Sequence, residues 1–334
     1  MRYVKFDDIE IGMVLAKPLY GDNGGVLVKE GCAISENIFR HIDGTGIQGI
    51  YIKDELTQDI QIEDIVSEKL RNIGVEALIN GDYNKCVAVA KAITKEMSEQ
   101  SYPLYDMMDI KTFKNYEYRH CLSVAVYSVA VGLHLKLNQE QLNGLAIAGI
   151  LHDIGKFDVK KRVMKTKQVY NEKQMDEMKK HPTYSYEAVK DNPNVSSVSR
   201  NAILYHHENV DGTGYYGITQ DKLVLFPRIL RVVDTYDALL STRMQRKAFG
   251  PDYAFKHLVD NSGKLYDLDV VKAFVYTLPM YPRGFTVKLT NGETAVVVKN
   301  NTDIERPIVR LLNGQTIDLS KDANYRQVEI EVIV

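Results

Sequence analysis

The sequence predicts a mainly α-helical fold: a helical bundle with a small β-rich module at its N-terminus and a β hairpin region at its C-terminus. Three features predict it. Apolar residues recur at helical spacing through the middle of the chain, glycine-punctuated extended runs precede them, and alternating runs joined by Asn-Gly follow them.

Residues 1 to about 55 hold the runs GMVLAKPLY, VLVKEG and GIQGIYIKD, and Asn23-Gly24 between extended runs is a tight-turn signal. From about 60 to 100 the spacing becomes helical, with Val87, Ala90, Ile93 and Met97 on one face and Lys and Glu between them. Pro103 interrupts, and helices continue to about 280. At 281 the texture changes again. FTVKLTNGETAVVV reads as strand, turn, strand, and RLLNGQTIDL repeats the pattern around Asn313-Gly314. The chain thus divides into a β-rich module (1–55), a helical linker or dimerisation segment (56–110), a helical domain (111–280) and a β appendage (281–334). Intramolecular packing is the default for the 56–110 helices, and pairing of two chains into a homodimer is the second reading.

The 334 residues have room for about two ordinary domains. Apolar residues are 45% and charged residues 26%, enough apolar side chains for a sizeable core, and disorder is not expected. A net charge of −2 argues against a protein built to grip polymeric nucleic acid or an anionic membrane. The start, MRYVKFDDIE, has no apolar signal core, and no stretch approaches the roughly 20 apolar residues that span a bilayer, so a cytoplasmic protein is expected. Cys32, Cys86 and Cys121 are odd in number and widely spaced, which supports neither a disulfide framework nor a zinc finger.

The histidines carry the chemistry. Five of the eight lie in the helical block beside acidic residues. His120 sits on a helix that begins near Tyr116. His152-Asp153 ends a helix whose positions Leu142, Leu145, Ala146, Gly149 and Ile150 bury one face. His181 precedes Pro182, which places it near a helix boundary. His206-His207 follow an apolar helical run and lead into a glycine loop, and Asp234 lies in a helix with Asp237 one turn later. Neutral imidazole nitrogen mixed with carboxylate oxygen suits Fe, Mn or Zn better than Mg or Ca. His41, His134 and His257 are read as structural.

With YEYRH at 116–120, GILHDIGK at 149–156, HPTYSYE at 181–187, HHENVDGTGYYG at 206–217 and RVVDTYDALLSTR at 231–243, the chain resembles the HD-GYP subfamily of the HD phosphohydrolase superfamily. These are bacterial phosphodiesterases that linearise cyclic dinucleotides. The resemblance covers about residues 110 to 300 and implies an HD-type helical bundle. It also implies that His120, His152, Asp153 and Asp234 hold one metal ion, and that His181, His206 and His207 hold a second with Asp153 bridging. Iron is the first choice and manganese the second. A hydroxide shared by the ions would attack phosphorus while Lys156 meets a phosphate oxygen. Asp153 and Lys156 are therefore the expected catalytic residues. Lys156, Tyr215, Asp237, Arg243 and Arg246 are the expected substrate-binding residues, although Asp237 matches a position that either touches substrate or organises the shell around it. Glu208 and Asp211 are read as loop-ordering.

Three departures stand out. Tyr216 replaces the proline of the GYP signature, which removes a fixed φ and loosens the loop. Tyr116 stands where some relatives carry a glutamate that supports a third metal, so two metals are expected. The segment after Lys156 lacks the usual proline-containing stretch, and its lid-like loop is expected to differ.

The resemblance thus implies a metal-dependent cyclic di-GMP phosphodiesterase giving pGpG and GMP, with a signalling protein docking through the DGTGYY loop. The alternatives are a phosphodiesterase acting on 3′,3′-cyclic GMP-AMP, a non-catalytic receptor for cyclic di-GMP, and a di-iron oxygenase.

Overall fold

A computed structural model describes residues 1–21, 24–100, 111–163, 171–241 and 248–334. The N-terminal part contains β1 (Arg2–Lys5), β2 (Val14–Leu15), β3 (Leu19–Tyr20), β4 (Val26–Val28), helix α1 (Glu36–Ile42) and β5 (Gly49–Lys53). Strands β1, β5 and β2 form an antiparallel sheet in that order, with Tyr3 opposite Tyr51, and β3 pairs with β4. Extended segments were expected here; the short α1 was not. Its start is fixed by Ser35, whose hydroxyl accepts from the Ile38 N–H, and it buries Ile42 beside Leu15, Leu19 and Ile50.

The helical part runs through α2 (Glu68–Ile79), α3 (Tyr83–Ser98), α4 (Tyr116–His134), α5 (Gln139–Leu151), α6 (Gly155–Val163), α7 (Glu172–Met178), α8 (His181–Val189), α9 (Ser197–Tyr205), α10 (Leu225–Leu239), α11 (Pro251–Asp260) and α12 (Leu268–Val275). The predicted stripe of α3, Val87, Ala90, Ile93 and Met97, is buried in the same core as α4 and α5. Its apolar face is therefore taken up within the chain. Helix α4 is buried on all sides from Arg119 to Gly132, which makes it the axis of the bundle. Helix α5 can lie close against it because residue 149 is glycine: a Cβ there would sit 2.6 Å from the Ala125 Cα. The start of α5 is held by a reciprocal cap between Asn138 and Gln141.

At the C-terminus, β6 (Thr286–Leu289), β7 (Thr294–Lys299), β8 (Ile308–Leu311), β9 (Thr316–Asp318) and β10 (Ile330–Ile333) form one antiparallel sheet in the order β10-β6-β7-β8-β9. The two expected Asn-Gly hairpins are β6-β7 and β8-β9, and β10 extends them into a five-stranded sheet by returning to pair with β6. This sheet shares a core with the chain's first residues. Tyr3 stacks on Phe285 at 4.5 Å and donates its N–H to the Gly284 carbonyl, and Arg310 makes a forked pair with Asp59 at 2.6 and 2.8 Å. Among the described residues no helix is long and apolar enough to cross a membrane.

Candidate metal centre

The seven predicted ligands come from five helix ends or helix bodies and converge. The ligand atoms fall into two groups, His120, His152, Asp153 and Asp234 in one and Asp153, His181, His206 and His207 in the other. Asp153 belongs to both, and its two oxygens divide the work. Oδ2 lies 3.5 Å from His120 Nε2 and 3.4 Å from His152 Nε2. Oδ1 lies 3.1 Å from His181 Nε2 and 3.6 Å from His206 Nε2. Asp234 Oδ1 is 3.0 Å from His120 Nε2, and its Oδ2 faces His207 Nδ1 at 3.9 Å. All but His207 are almost fully buried.

One local device aims three of the histidines. His152, His181 and His206 each stand at a helix boundary and each donates Nδ1–H to the carbonyl three residues back: Gly149, Met178 and Ile203, all at 2.8 Å. The proton is thereby fixed on Nδ1 and the Nε2 lone pair points into the cluster. His120 lies inside α4, where the preceding carbonyls are already used by the helix. It turns instead to a carboxylate, with Nδ1 2.6 Å from Asp237 Oδ2.

The consequence is a nest of facing lone pairs. His181 Nε2 and His206 Nε2 are 3.2 Å apart with both Nδ1 atoms already committed. His120 Nε2, His152 Nε2 and Asp153 Oδ1 are buried without a hydrogen-bond partner. Such an arrangement needs positive charge, from protons or from a cation. Titration follows the same division. Burial works against charge on both His120 and His152, but Tyr116 and the surrounding Asp side chains outweigh it at His120, and Asp153 and Asp234 outweigh it at His152, so both are raised above the ordinary imidazole value. Burial lowers His206 to about 4 and lowers His181 and, more strongly, His207, so these three stay neutral donors. Despite burial, Asp153 and Asp234 are held well below the usual carboxylate range by the neighbouring histidines, and Asp153 also by Lys156. Three neutral nitrogens, two imidazoles whose Nε2 protons a cation would replace, and two ionised carboxylates, converging and buried, are a donor set that fits divalent metal ions.

The other candidates fall around this core. Lys156 stands beside the cluster, although not on the helix that ends at His152. Helix α5 stops at Leu151, a turn follows, and Lys156 enters α6, from which its Nζ reaches Asp153 Oδ2 at 2.5 Å. Tyr215 is exposed and its ring stands 4.6 Å from that of His207, at the rim of the cluster. Asp237 faces inward, bound to His120 and to Lys111 Nζ at 2.5 Å, a placement that favours shell organisation over substrate contact. Arg243 and Arg246 lie outside the described residues, as does much of the segment following Lys156. His41, His134 and His257 lie outside both ligand groups.

Tyr216 does not loosen its loop. The buried Glu208 carboxylate accepts the Tyr216 N–H at 2.8 Å and the Ile218 N–H at 2.7 Å, and the Tyr216 hydroxyl bonds Thr183. Gly214 allows this wrap, since a Cβ there would come within 2.5 Å of the Glu208 Cα. Asp211 orders the same loop by accepting from Thr213. The sequence reading missed Lys111, which no local pattern separates from the exposed Lys114. A cavity of about 750 Å³ between residues 59–65, Tyr276 and the β7-β8 connection includes none of the cluster residues.

Comparison with known proteins places the chain among relatives of similar sequence. A protein of Pseudomonas aeruginosa named cyclic di-GMP phosphodiesterase is 30% identical over 199 residues, covering 59% of this chain and 48% of its own. The cyclic di-GMP phosphodiesterase PdeB of Borreliella burgdorferi is 25% identical over 225 residues, 65% of this chain and 58% of its own. A 3′3′-cGAMP-specific phosphodiesterase of Vibrio cholerae is 29% identical over 168 residues, 50% of this chain and 36% of its own. The chain thus spans about half the length of the first two relatives. A family model described as HD domain matches residues 99–270, slightly more than half of the chain and every one of the seven clustered residues. The chain belongs to the HD-domain family, the superfamily to which its HD-GYP motifs pointed.

Proposed function

We propose that this protein is a cytoplasmic phosphodiesterase that binds two divalent ions, iron first and manganese second, and hydrolyses cyclic di-GMP to pGpG and then GMP. One observation carries the reading: Asp153 turns one oxygen to the His120/His152 pair and the other to the His181/His206 pair. Such a carboxylate suits a bridge between two ions. When bound, the ions supply Lewis acidity toward phosphate and a lowered pKa for water.

The remaining tasks belong to the side chains. His120, His152 and Asp234 hold one position, His181, His206 and His207 the other, and the Nδ1 bonds keep the donors aimed. Lys156, with its ammonium on Asp153, is placed to meet charge growing on a non-bridging phosphate oxygen. Tyr215 offers an aromatic face at the rim for a nucleobase or sugar. Arg243 and Arg246 are assigned to phosphate or guanine on the resemblance alone. In hydrolysis an O–P bond forms from water, the P–O3′ bond breaks, and the 3′ oxygen leaves with a proton.

The name of the Vibrio cholerae relative supports a second substrate, 3′,3′-cyclic GMP-AMP, with the same residues in the same roles. The test is elemental analysis of anaerobically purified protein together with turnover of both cyclic dinucleotides in the same sample. Two ions per chain and conversion of cyclic di-GMP to pGpG or GMP are expected, and Asp153→Ala should lose both metal and turnover. Full activity in that variant would sink the assignment. Two ions and tight binding without turnover would instead establish a receptor.

A further inference from the structure

We infer that Lys111 is a positioning residue for one half of the metal centre, bracing His120 through Asp237. The inference rests on the two-ion reading above and concerns how one of the two positions is held. Lys111 Nζ lies 2.5 Å from both Asp237 oxygens and 3.3 Å from Ser241 Oγ. The two side chains are only 6% and 2% exposed, so the pair is sealed from water. Asp237 Oδ2 in turn lies 2.6 Å from His120 Nδ1. The ammonium also stands 5.9 Å from the centre of the Tyr116 ring, and that ring stacks on His120 at 5.5 Å. Lys111 therefore touches both groups that fix the His120 ring: the carboxylate on its Nδ1 edge and the aromatic ring on its face.

Among the described residues, His120 differs from the three histidines at helix boundaries in how it is held. His152, His181 and His206 are oriented by carbonyls three residues away, a brace that forms with the helix end itself. His120 depends on a carboxylate from α10, on a separate element far along the chain. A carboxylate has two oxygens and free rotation about its side-chain bonds. Held by an imidazole at one oxygen alone, it could swing, whereas Lys111 binds both oxygens at once and Ser241 anchors the ammonium. Lys111 precedes α4 by only a few residues, so it also ties the entry of the helical domain to the strand of contacts leading into the metal centre.

The test compares wild type with Lys111→Met, which removes the charge at similar volume, and Lys111→Arg, which restores it. Each is stripped and titrated with Mn²⁺, followed by elemental analysis and electron paramagnetic resonance, with far-UV circular dichroism as the folding control. Wild type should take two ions and show the spectrum of a coupled pair. Lys111→Met should keep one ion at near wild-type affinity and bind the other about 10–100-fold more weakly, so that an isolated-ion spectrum dominates at low Mn²⁺. Lys111→Arg should recover part of the loss. If Lys111→Met does not fold, Asp237→Asn is titrated in its place and should show the same one-sided loss. Two ions bound with wild-type affinity and coupling in the folded variant, or equal weakening of both, would overturn the inference. A wild-type protein that takes fewer than two ions would instead overturn the reading beneath it.

Discussion

Replacing Tyr216 with proline restores the third letter of the GYP signature, and the structure predicts that this restoration destabilises the protein. The reason is a single N–H. Glu208 is 1% exposed and its carboxylate accepts from the Tyr216 and Ile218 backbones. Proline has no N–H, so one charge-assisted bond is lost, about 1.5–3 kcal/mol for a buried ionised acceptor. Proline also restricts the unfolded chain, which returns about 0.4–1 kcal/mol. The net cost of the backbone change is then about 0.5–2.5 kcal/mol. The side chain contributes separately, through the hydroxyl bond to Thr183 and an edge contact with Tyr205, so Tyr216→Ala is the reference that isolates the N–H. The assay is thermal unfolding of the stripped protein, with amide exchange at Ile218 as a local reporter. Tyr216→Pro should melt about 1–10 °C below Tyr216→Ala, using roughly 2–4 °C per kcal/mol for a unit of this size. Ile218 should exchange faster. A proline variant as stable as the alanine variant would refute the argument.

Other consequences can be measured in the same preparations. Lys156→Met should retain both ions while turnover falls by about 10²–10³-fold, the scale for losing one electrostatic donor to a transition state; unchanged turnover would remove Lys156 from the chemistry. In the stripped protein, burial holds His206 at about 4 against about 6.5 unfolded. The unfolded state therefore binds the extra proton first, and stability is lost as pH falls from about 6.5 to about 4, by about 3 kcal/mol at the lower end. His206→Gln should flatten that part of the stability profile; His120 and His152, shifted upward, act in a different window, above about 6.5, where their contribution is lost as pH rises. Gly149→Ala should push α5 off α4, cost about 1–3 kcal/mol in urea unfolding and weaken metal binding, since the two helices carry His152 and His120. Wild-type metal affinity in that variant would show that the close approach is not needed by the site.

Much of the centre was legible because its residues are rare and sit beside local signals. Pro182 marked the start of α8 at His181, and the apolar spacing before His152 and His206 located the ends of α5 and α9. What could not be read depends on distance along the chain. The Lys111–Asp237 pair spans 126 residues, and nothing in DIKTFKNY distinguishes the lysine that is buried from Lys114, which is exposed. Strand β10 pairs with β6 across the whole appendage, so two recognisable hairpins did not announce a five-stranded sheet. Tyr216 was misread for a different reason: the sequence displays the missing ring constraint of proline but not the carboxylate waiting for the N–H that replaces it.

The histidine Nδ1 bonds have a thermodynamic consequence for assembly. A flexible imidazole that is frozen on binding forfeits rotamer freedom worth about 0.5–1.5 kcal/mol. In this protein four rings are already fixed by Gly149, Met178, Ile203 and Asp237. That entropy is lost when the chain folds, so it no longer opposes capture of an ion from solution. For four rings the difference is about 4 kcal/mol, or roughly a thousandfold in affinity. The ordering of these four donors is thus settled when the chain folds, and an ion that arrives later meets rings that need no further alignment.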